Sequence, residues 1–290
     1  VTALAGVLVG ASACGNDVPG TGDAAPAPDP LLAAPPIALA QSLATAAGAT
    51  RYVVDTAATA GGRLLGTVRS DGDLPADTLV RPTHDTHACR PVPDAPLVGT
   101  RDGVGEAIAW LVGVARGPAD PAPRRAALAL EGCRIVPRLT RVPQGATLLV
   151  RSGDAMDSRL RFVEAGAPVA GVAVTRDSTV PAVTSAPAAP RALIPLGDAG
   201  AVVPVTAVTE RPGLVEIRDD RHPWVRGWVA VAPHPFVTIS DRDGRFAFDG
   251  VPPGRYELVT WHERLGTVAT PVLVEAGVEL RVTVTLPAVR

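Results

Sequence analysis

A break in the chain comes about every ten residues from Arg51 to the C-terminal end, a rhythm that suits short β-strands. The punctuation is glycine and proline, 29 of one and 30 of the other in 290 residues. Proline removes a backbone donor and fixes φ, and glycine loses most conformational freedom on folding, so neither favours long helices. Between the breaks lie short apolar runs. Leu64–Arg69, Ala126–Leu130, Cys133–Val136, Arg138–Val142, Ala146–Arg151 and Leu214–Ile217 read as strands, and Ala107–Val114 is apolar throughout, as in a buried strand. The last part is the most regular: Trp228–Val231, Val237–Ser240, Arg245–Phe248, Tyr256–His262, Thr267–Val274 and Val278–Leu286, with half-buried alternation over Glu279–Leu286. Asp241-Arg-Asp-Gly244 is expected to turn a hairpin. Val251-Pro-Pro-Gly254 is expected to turn another, with Gly254 in the left-handed position. Residues 163–212 are expected to be strands joined by long loops. The class is all-β.

Hydrophobic residues make up 47% of the chain and aromatics 3%, so the core is expected to be mainly Val, Leu and Ala. The length allows one large domain or two ordinary ones. Net charge is −2 and no basic stripe appears, which argues against a nucleic-acid partner. Residues 1–14 form an apolar, small-residue run ending Gly10-Ala11-Ser12-Ala13-Cys14, too short to span a bilayer and suited to an export signal. A Cys directly after such a site resembles the lipobox of bacterial lipoproteins, with Ala11 where Leu is usual. That resemblance implies that Cys14 carries lipid and anchors the chain to a membrane; a plain secretory signal with an incidental Cys is the alternative. Residues 15–50, rich in Ala, Pro, Gly and Asp, suit a tether, with a short helix at 37–47. Cys89 and Cys133 then remain. An oxidising compartment would let them bridge; two buried free thiols are the alternative.

Several clusters have the composition of a site. His84-Asp85-Thr86-His87-Ala88-Cys89 offers two imidazoles and a thiol to zinc, but no second cluster completes a tetrahedral set. Asp219, Asp220 and His222 could grip a hard ion, yet adjacent carboxylates on a strand point to opposite sides. Trp261-His262-Glu263 lacks the His-x-x-Glu spacing of zinc carboxypeptidases, and His262 with Glu263 reads as a strand-end hydrogen-bonding pair. Trp224 and Trp228 read as core anchors. Ser152 and Ser158 sit in no nucleophile elbow. No set with catalytic spacing emerges, so an enzyme ranks last.

Taken together, Gly66-Thr-Val68 with Gly72, Cys89, Cys133 with Val136-Pro137, Gly145 before Leu148-Leu-Val150, His222-Pro223-Trp224, His234-Pro235-Phe236, Asp241-x-Asp-Gly-Arg-Phe246, Val251-Pro-Pro-Gly-x-Tyr256 and Trp261-His262-Glu263 carry a likeness. The chain resembles a bacterial family of exported cupredoxin-like proteins, often labelled carboxypeptidase regulatory-like or methylamine-utilisation-like. The matching pieces run from residue 51 to residue 287, with 222–263 the sharpest. The resemblance implies a Greek-key, cupredoxin-like β-sandwich over 51–235, with a carboxypeptidase regulatory-like segment, 236–290, packed on it. The C-terminal hairpins would lie against strands 62–69 and 107–114, in one compact unit or two fused sandwiches.

Copper-binding members would present His, Cys, His and an axial Met, the trigonal blue-copper set. Those positions hold Ser158, Asp219, His222 and Val225 here. With one ligand of four, no cofactor is expected and copper least of all. The expected function is a non-enzymatic binding or structural module of the bacterial envelope, periplasmic or surface-facing. Its partners would be the membrane, through Cys14, and an envelope protein or ligand of unknown kind. The alternative is a metal-binding or electron-transfer protein with rearranged ligands centred on His222.

Overall fold

The strands follow the turn rhythm, and four sheets account for most of them. A computed structural model describes residues 51–288 apart from 56–60, 75, 77, 95–97, 101–102 and 166–188. The expected signal at 1–14 with Cys14, the tether at 15–50, the helix at 37–47 and the middle of 163–212 lie outside the described residues.

The first sheet orders Arg134–Val136, Arg125–Glu131, Thr147–Ser152 and Val202–Val205 side by side. The second orders Leu139–Pro143, Arg226–Ala232, Gly213–Asp219, Ser158–Glu164 and Ala192–Leu196. The third holds Val237–Ile239, Ile108–Val112, Gly254–His262 and Gly266–Val274; the fourth holds Arg245–Val251, Gly62–Ser70 and Glu279–Leu286. The expected all-β sandwich is what the chain forms. Strands near in sequence often fall in different layers: Arg134–Val136 lies in the first sheet and Leu139–Pro143 in the second, where it runs parallel to Arg226–Ala232.

Alternation shows how the sheets stack. On Arg226–Ala232, Val229 and Val231 pack with Leu128, Leu148 and Val150 of the first sheet. The residues between them, Trp228, Ala230 and Ala232, pack instead with Trp110, Val237 and Trp261 of the third. On Ile108–Val112, Ile108 and Trp110 face that same seam, whereas Ala109 and Leu111 join Leu64, Val68 and Phe248 of the fourth sheet. The result is four layers in the order first, second, third, fourth. Because the middle two are covered on both faces, Leu214 to Ile217 and Ile108 to Leu111 are buried without a break.

This explains the continuous apolar runs of the sequence. The sheets do not divide at residue 235: Gly62–Ser70 and Ile108–Val112 pair with strands beyond 236, while the first and second sheets are built from 125–232. The expected packing of the C-terminal hairpins on strands near 62–69 and 107–114 is therefore direct hydrogen-bonded pairing.

The turn chemistry is as expected only in part. Asp241 Oδ1 accepts from the backbone N–H of Asp243 and Arg245, and Gly244 takes φ of +74°. Contrary to expectation this turn closes no hairpin: it carries the chain from Val237–Ile239 of the third sheet to Arg245–Val251 of the fourth. The Val251-Pro-Pro-Gly254 turn is no hairpin either, since it leads from the fourth sheet back to the third, and its Gly254 is not left-handed. The left-handed glycine is Gly250, φ +69°, near the end of the strand before it. The pairing of Arg245–Val251 with Gly62–Ser70 shifts register between Phe248 and Val251, and the left-handed backbone of the bulge there favours glycine.

Candidate functional site

The corner of interest joins Gly213–Asp219 to Arg226–Ala232. Asp219 ends its strand, and its Oδ1 accepts from the backbone N–H of Arg221 at 2.7 Å and of His222 at 3.1 Å. A side-chain oxygen capping its own following amides is what Asp does at turns. The backbone closes the turn twice more: Val225 N donates to His222 O at 2.8 Å, and Asp219 N donates to Val225 O at 3.3 Å. Val225 is fully buried among Met156, Leu160 and the Cys89–Cys133 sulfurs. Three of the four positions singled out in the sequence thus share one turn. Ser158 opens the neighbouring strand, two residues before Leu160, which lies opposite Asp219. Its buried Oγ has no hydrogen-bond partner among the described residues.

His222 is 1% exposed, and both ring nitrogens face carboxylates. Nε2 lies 2.8 Å from Asp85 Oδ2, 137 residues away in sequence. Nδ1 lies 3.3 Å from Asp219 Oδ1, close enough for charge attraction but without the alignment of a hydrogen bond. The Trp224 ring meets the imidazole edge-on at 5.3 Å. Asp85 is held below the ordinary carboxylate range, chiefly by its hydrogen bond to His222.

The loop that delivers Asp85 is itself tied down. Its carbonyl accepts from Ala88 N and Cys89 N, and Cys89 is bridged to Cys133. The turn at Cys133 is gripped by Asp154, whose two carboxylate oxygens accept from Gly132 N at 2.9 Å and Cys133 N at 2.7 Å. The Met156 sulfur sits 3.6 and 3.7 Å from the two bridge sulfurs, filling the corner with soft apolar volume.

This geometry decides what the corner can bind. Nδ1 and Nε2 point to opposite sides of an imidazole, so Asp85 and Asp219 flank the ring and do not converge with it on one point. Cys89 and Cys133 spend their sulfurs on each other. Val225 offers no donor. Among the described residues no group of three or more His, Cys, Asp or Glu is arranged to hold a metal ion. The donor set does not fit copper.

The other sequence candidates resolve separately. His84 Nδ1 lies 2.9 Å from Thr83 Oγ1, and with Cys89 in a disulfide the His84–Cys89 cluster keeps no thiolate for zinc. Asp220 turns away from Asp219 and makes a two-pronged pair with Arg161, at 2.9 and 2.8 Å. His262 and Glu263 do not bond each other, contrary to the expected pair. Glu263 instead accepts from Arg138 Nε at 2.6 Å, a second Arg138 nitrogen at 2.9 Å and Trp228 Nε1 at 2.8 Å. This polar rivet joins the third sheet's Gly254–His262 hairpin to the second sheet, beside an edge-on stack of Trp228 and Trp261 at 4.9 Å. His262 is buried and pushed down to about 4, and its Nδ1 accepts from Arg264 N at 3.2 Å. Trp228 is the seam anchor; Trp224 packs at the edge of the core between the first two sheets.

Sequence reasoning missed the pairing of Asp85 with His222 and the Glu263–Arg138–Trp228 rivet, since both join residues more than thirty positions apart. The only signal was the density of polar residues around His84 and Trp261.

No known family profile matches the chain, and no curated protein does. Solved structures overlap parts of it, each with a TM-score of 0.26. The Cu-containing nitrite reductase of Thermus scotoductus SA-01 is 17% identical over 41% of this chain and 24% of its own. A purple cupredoxin from Nitrosopumilus maritimus is 16% identical over 37% of this chain and 99% of its own. A mutant of amicyanin, in its Cu(I) form, is 16% identical over 42% of this chain and 97% of its own. At that TM-score none of these likenesses bears on what the chain does. Its class rests on its own strands, a four-layer all-β sandwich.

Proposed function

We propose that the chain is a non-enzymatic binding or structural module of a bacterial cell envelope, built on a cupredoxin-like scaffold whose copper positions have been given up. The observation that supports it most is the His222 imidazole taken up between Asp85 and Asp219. The one nitrogen ligand left in the corner is engaged by carboxylates on both sides, and the thiolate and thioether positions hold Asp219 and Val225. Ser158 has no base within hydrogen-bonding reach among the described residues, so the corner offers no activated nucleophile. In this reading Cys14 tethers the module to a membrane and residues 15–50 hold it clear of the surface.

The test is the metal content of the chain exported to an oxidising periplasm, with a visible spectrum before and after Cu(II) is added. The expected result is a folded, colourless protein without stoichiometric metal. Metal that survives dialysis and is lost in His222→Ala would overturn this reading in favour of a metal-binding or electron-transfer protein with rearranged ligands.

A further inference from the structure

At the opposite end of the same hairpin the molecule opens. Roughly 17 Å of strand separates the Arg218–Arg226 pair from the Gly213–Val231 pair. Beyond the latter lies a cleft of about 810 Å³ between the second sheet and the chain entering and leaving the third, within the range of small-molecule sites. Tyr52, Val54, Pro143, Pro233 and Pro235 give it apolar walls.

Its charge is lopsided. Asp120 is taken by Arg141, and Glu164 is bound by Arg191 at 2.7 Å. Arg191 is saturated, donating also to the carbonyls of Val208, Arg211 and Pro212. Arg51, Arg124 and Arg211 remain at the rim, all exposed, against the single carboxylate of Glu210. Among the described residues the Arg124 side chain has one bond, to Gln144 O at 3.1 Å, and the Arg211 side chain a 3.7 Å approach to Glu164. A chain of net charge −2 thus gathers a positive rim here.

The cleft also carries a buried histidine with no well-aligned hydrogen bond among the described residues. His234 is 3% exposed, with its ring against Tyr52 at 5.7 Å and Phe236 at 5.9 Å. Neither ring nitrogen completes a well-aligned bond, although the Leu111 backbone lies close enough to act on the ring. Native proteins seldom leave a buried polar group so, because the lost solvation is not returned; a bound partner is one way to return it.

We infer that this cleft binds a small organic oxyanion with an apolar body, its charged head at the Arg51, Arg124 and Arg211 rim and its body against the Tyr52 and proline walls. The inference rests on the reading of the chain as a binding module and adds the ligand's chemical class. It does not involve the His222 corner. Copper found there would leave the cleft's binding curve unchanged, and a silent cleft would leave the metal result unchanged.

The experiment is a fluorescence titration of the full chain with anilinonaphthalene sulfonate, which has the required head and body. Saturable one-to-one binding, weakened by salt, is expected. Arg51→Glu combined with Arg124→Glu should weaken it about tenfold or more, equivalent to about 1.4 kcal/mol. Both side chains are exposed, and an unchanged melting midpoint checks the fold. His234→Phe should weaken binding as well, whereas Leu273→Asp, on the exposed groove along Gly266–Val274, should not. Octanoate should displace the probe at concentrations where inorganic phosphate does not. Non-saturable binding, or equal affinity in the doubly reversed variant, would overturn the site; displacement by phosphate alone would overturn the apolar body.

Discussion

The hairpin of Gly213–Asp219 and Arg226–Ala232 has a buried histidine beyond each end, and the two are treated in opposite ways. His222 is met by a carboxylate on each ring nitrogen, inside a corner tied by a disulfide and two carboxylate caps. His234 is nearly as deeply buried but lies between two aromatic rings, with neither nitrogen in a well-aligned hydrogen bond among the described residues, beside an open cleft. A family resemblance draws attention to the first end. Physical chemistry draws it to the second, because a ring with a carboxylate against each nitrogen has less left to offer a ligand than a ring with neither nitrogen well bonded.

The largest test of this contrast concerns what makes it possible, a hairpin held rigid on both faces. Trp110→Ala removes a fully buried ring from the seam between the second and third sheets and should cost about 3–5 kcal/mol. Urea denaturation reads the loss. Partial unfolding confined to 62–112 and 237–286 would show that the two pairs of sheets are less welded than shared burial implies.

Next comes the disulfide, which should separate the two ends. Cys89→Ser with Cys133→Ser opens a loop with a sequence separation of 44, a loss of about 4 kcal/mol in the chain-entropy model. The loop carrying Asp85 should become accessible to hydrogen exchange while probe binding at the cleft persists. Loss of both together would break the contrast.

A third test uses pH. Burial pushes both His234 and His262 down to about 4, against an ordinary value of 6.5. In each case the unfolded chain binds the proton more readily. Stability from these groups is therefore full above pH 6.5 and is lost as pH falls toward 4, by on the order of 3 kcal/mol apiece. Thermal melts across that window should flatten in His234→Phe and in His262→Phe. An unaltered slope in His234→Phe would mean that its ring is not held neutral.

The smallest effect belongs to Asp85→Asn. Asp85 is lowered mainly by its bond to His222, so its contribution is present above the ordinary carboxylate range and lost as pH falls through the depressed value. The variant should be slightly less stable than the parent at neutral pH and indistinguishable from it in acid. A difference that persisted in acid would point to packing as the cause.

Much of the architecture was legible in the sequence because strands announce themselves locally. Alternation in Glu279–Leu286 appears as buried Val284 and Leu286 between exposed threonines. Ala107–Val114 read as a buried strand because both its faces are covered. What could not be read was which layer covers which face, since Trp110 and Leu111 are equally apolar and only the fold sends one to the seam and the other to the fourth sheet. The corner was legible only through a resemblance, with His222 the one expected ligand present and Ser158, Asp219 and Val225 at the other three positions. The reason it is closed was not, because Asp85 arrives from 137 residues away. Trp261-His262-Glu263 suggested a local pair, but bidentate geometry made Arg138 the better partner for Glu263.

The most direct test is to follow the imidazole NMR signals of His222 in the oxidised chain while Cu(II) is added. The account expects the ring to stay sharp and unshifted past one equivalent, with any broadening limited to exposed histidines such as His84 and His87. Selective loss of the His222 signals at one equivalent, reversed by a chelator, would contradict it and make the corner a metal site.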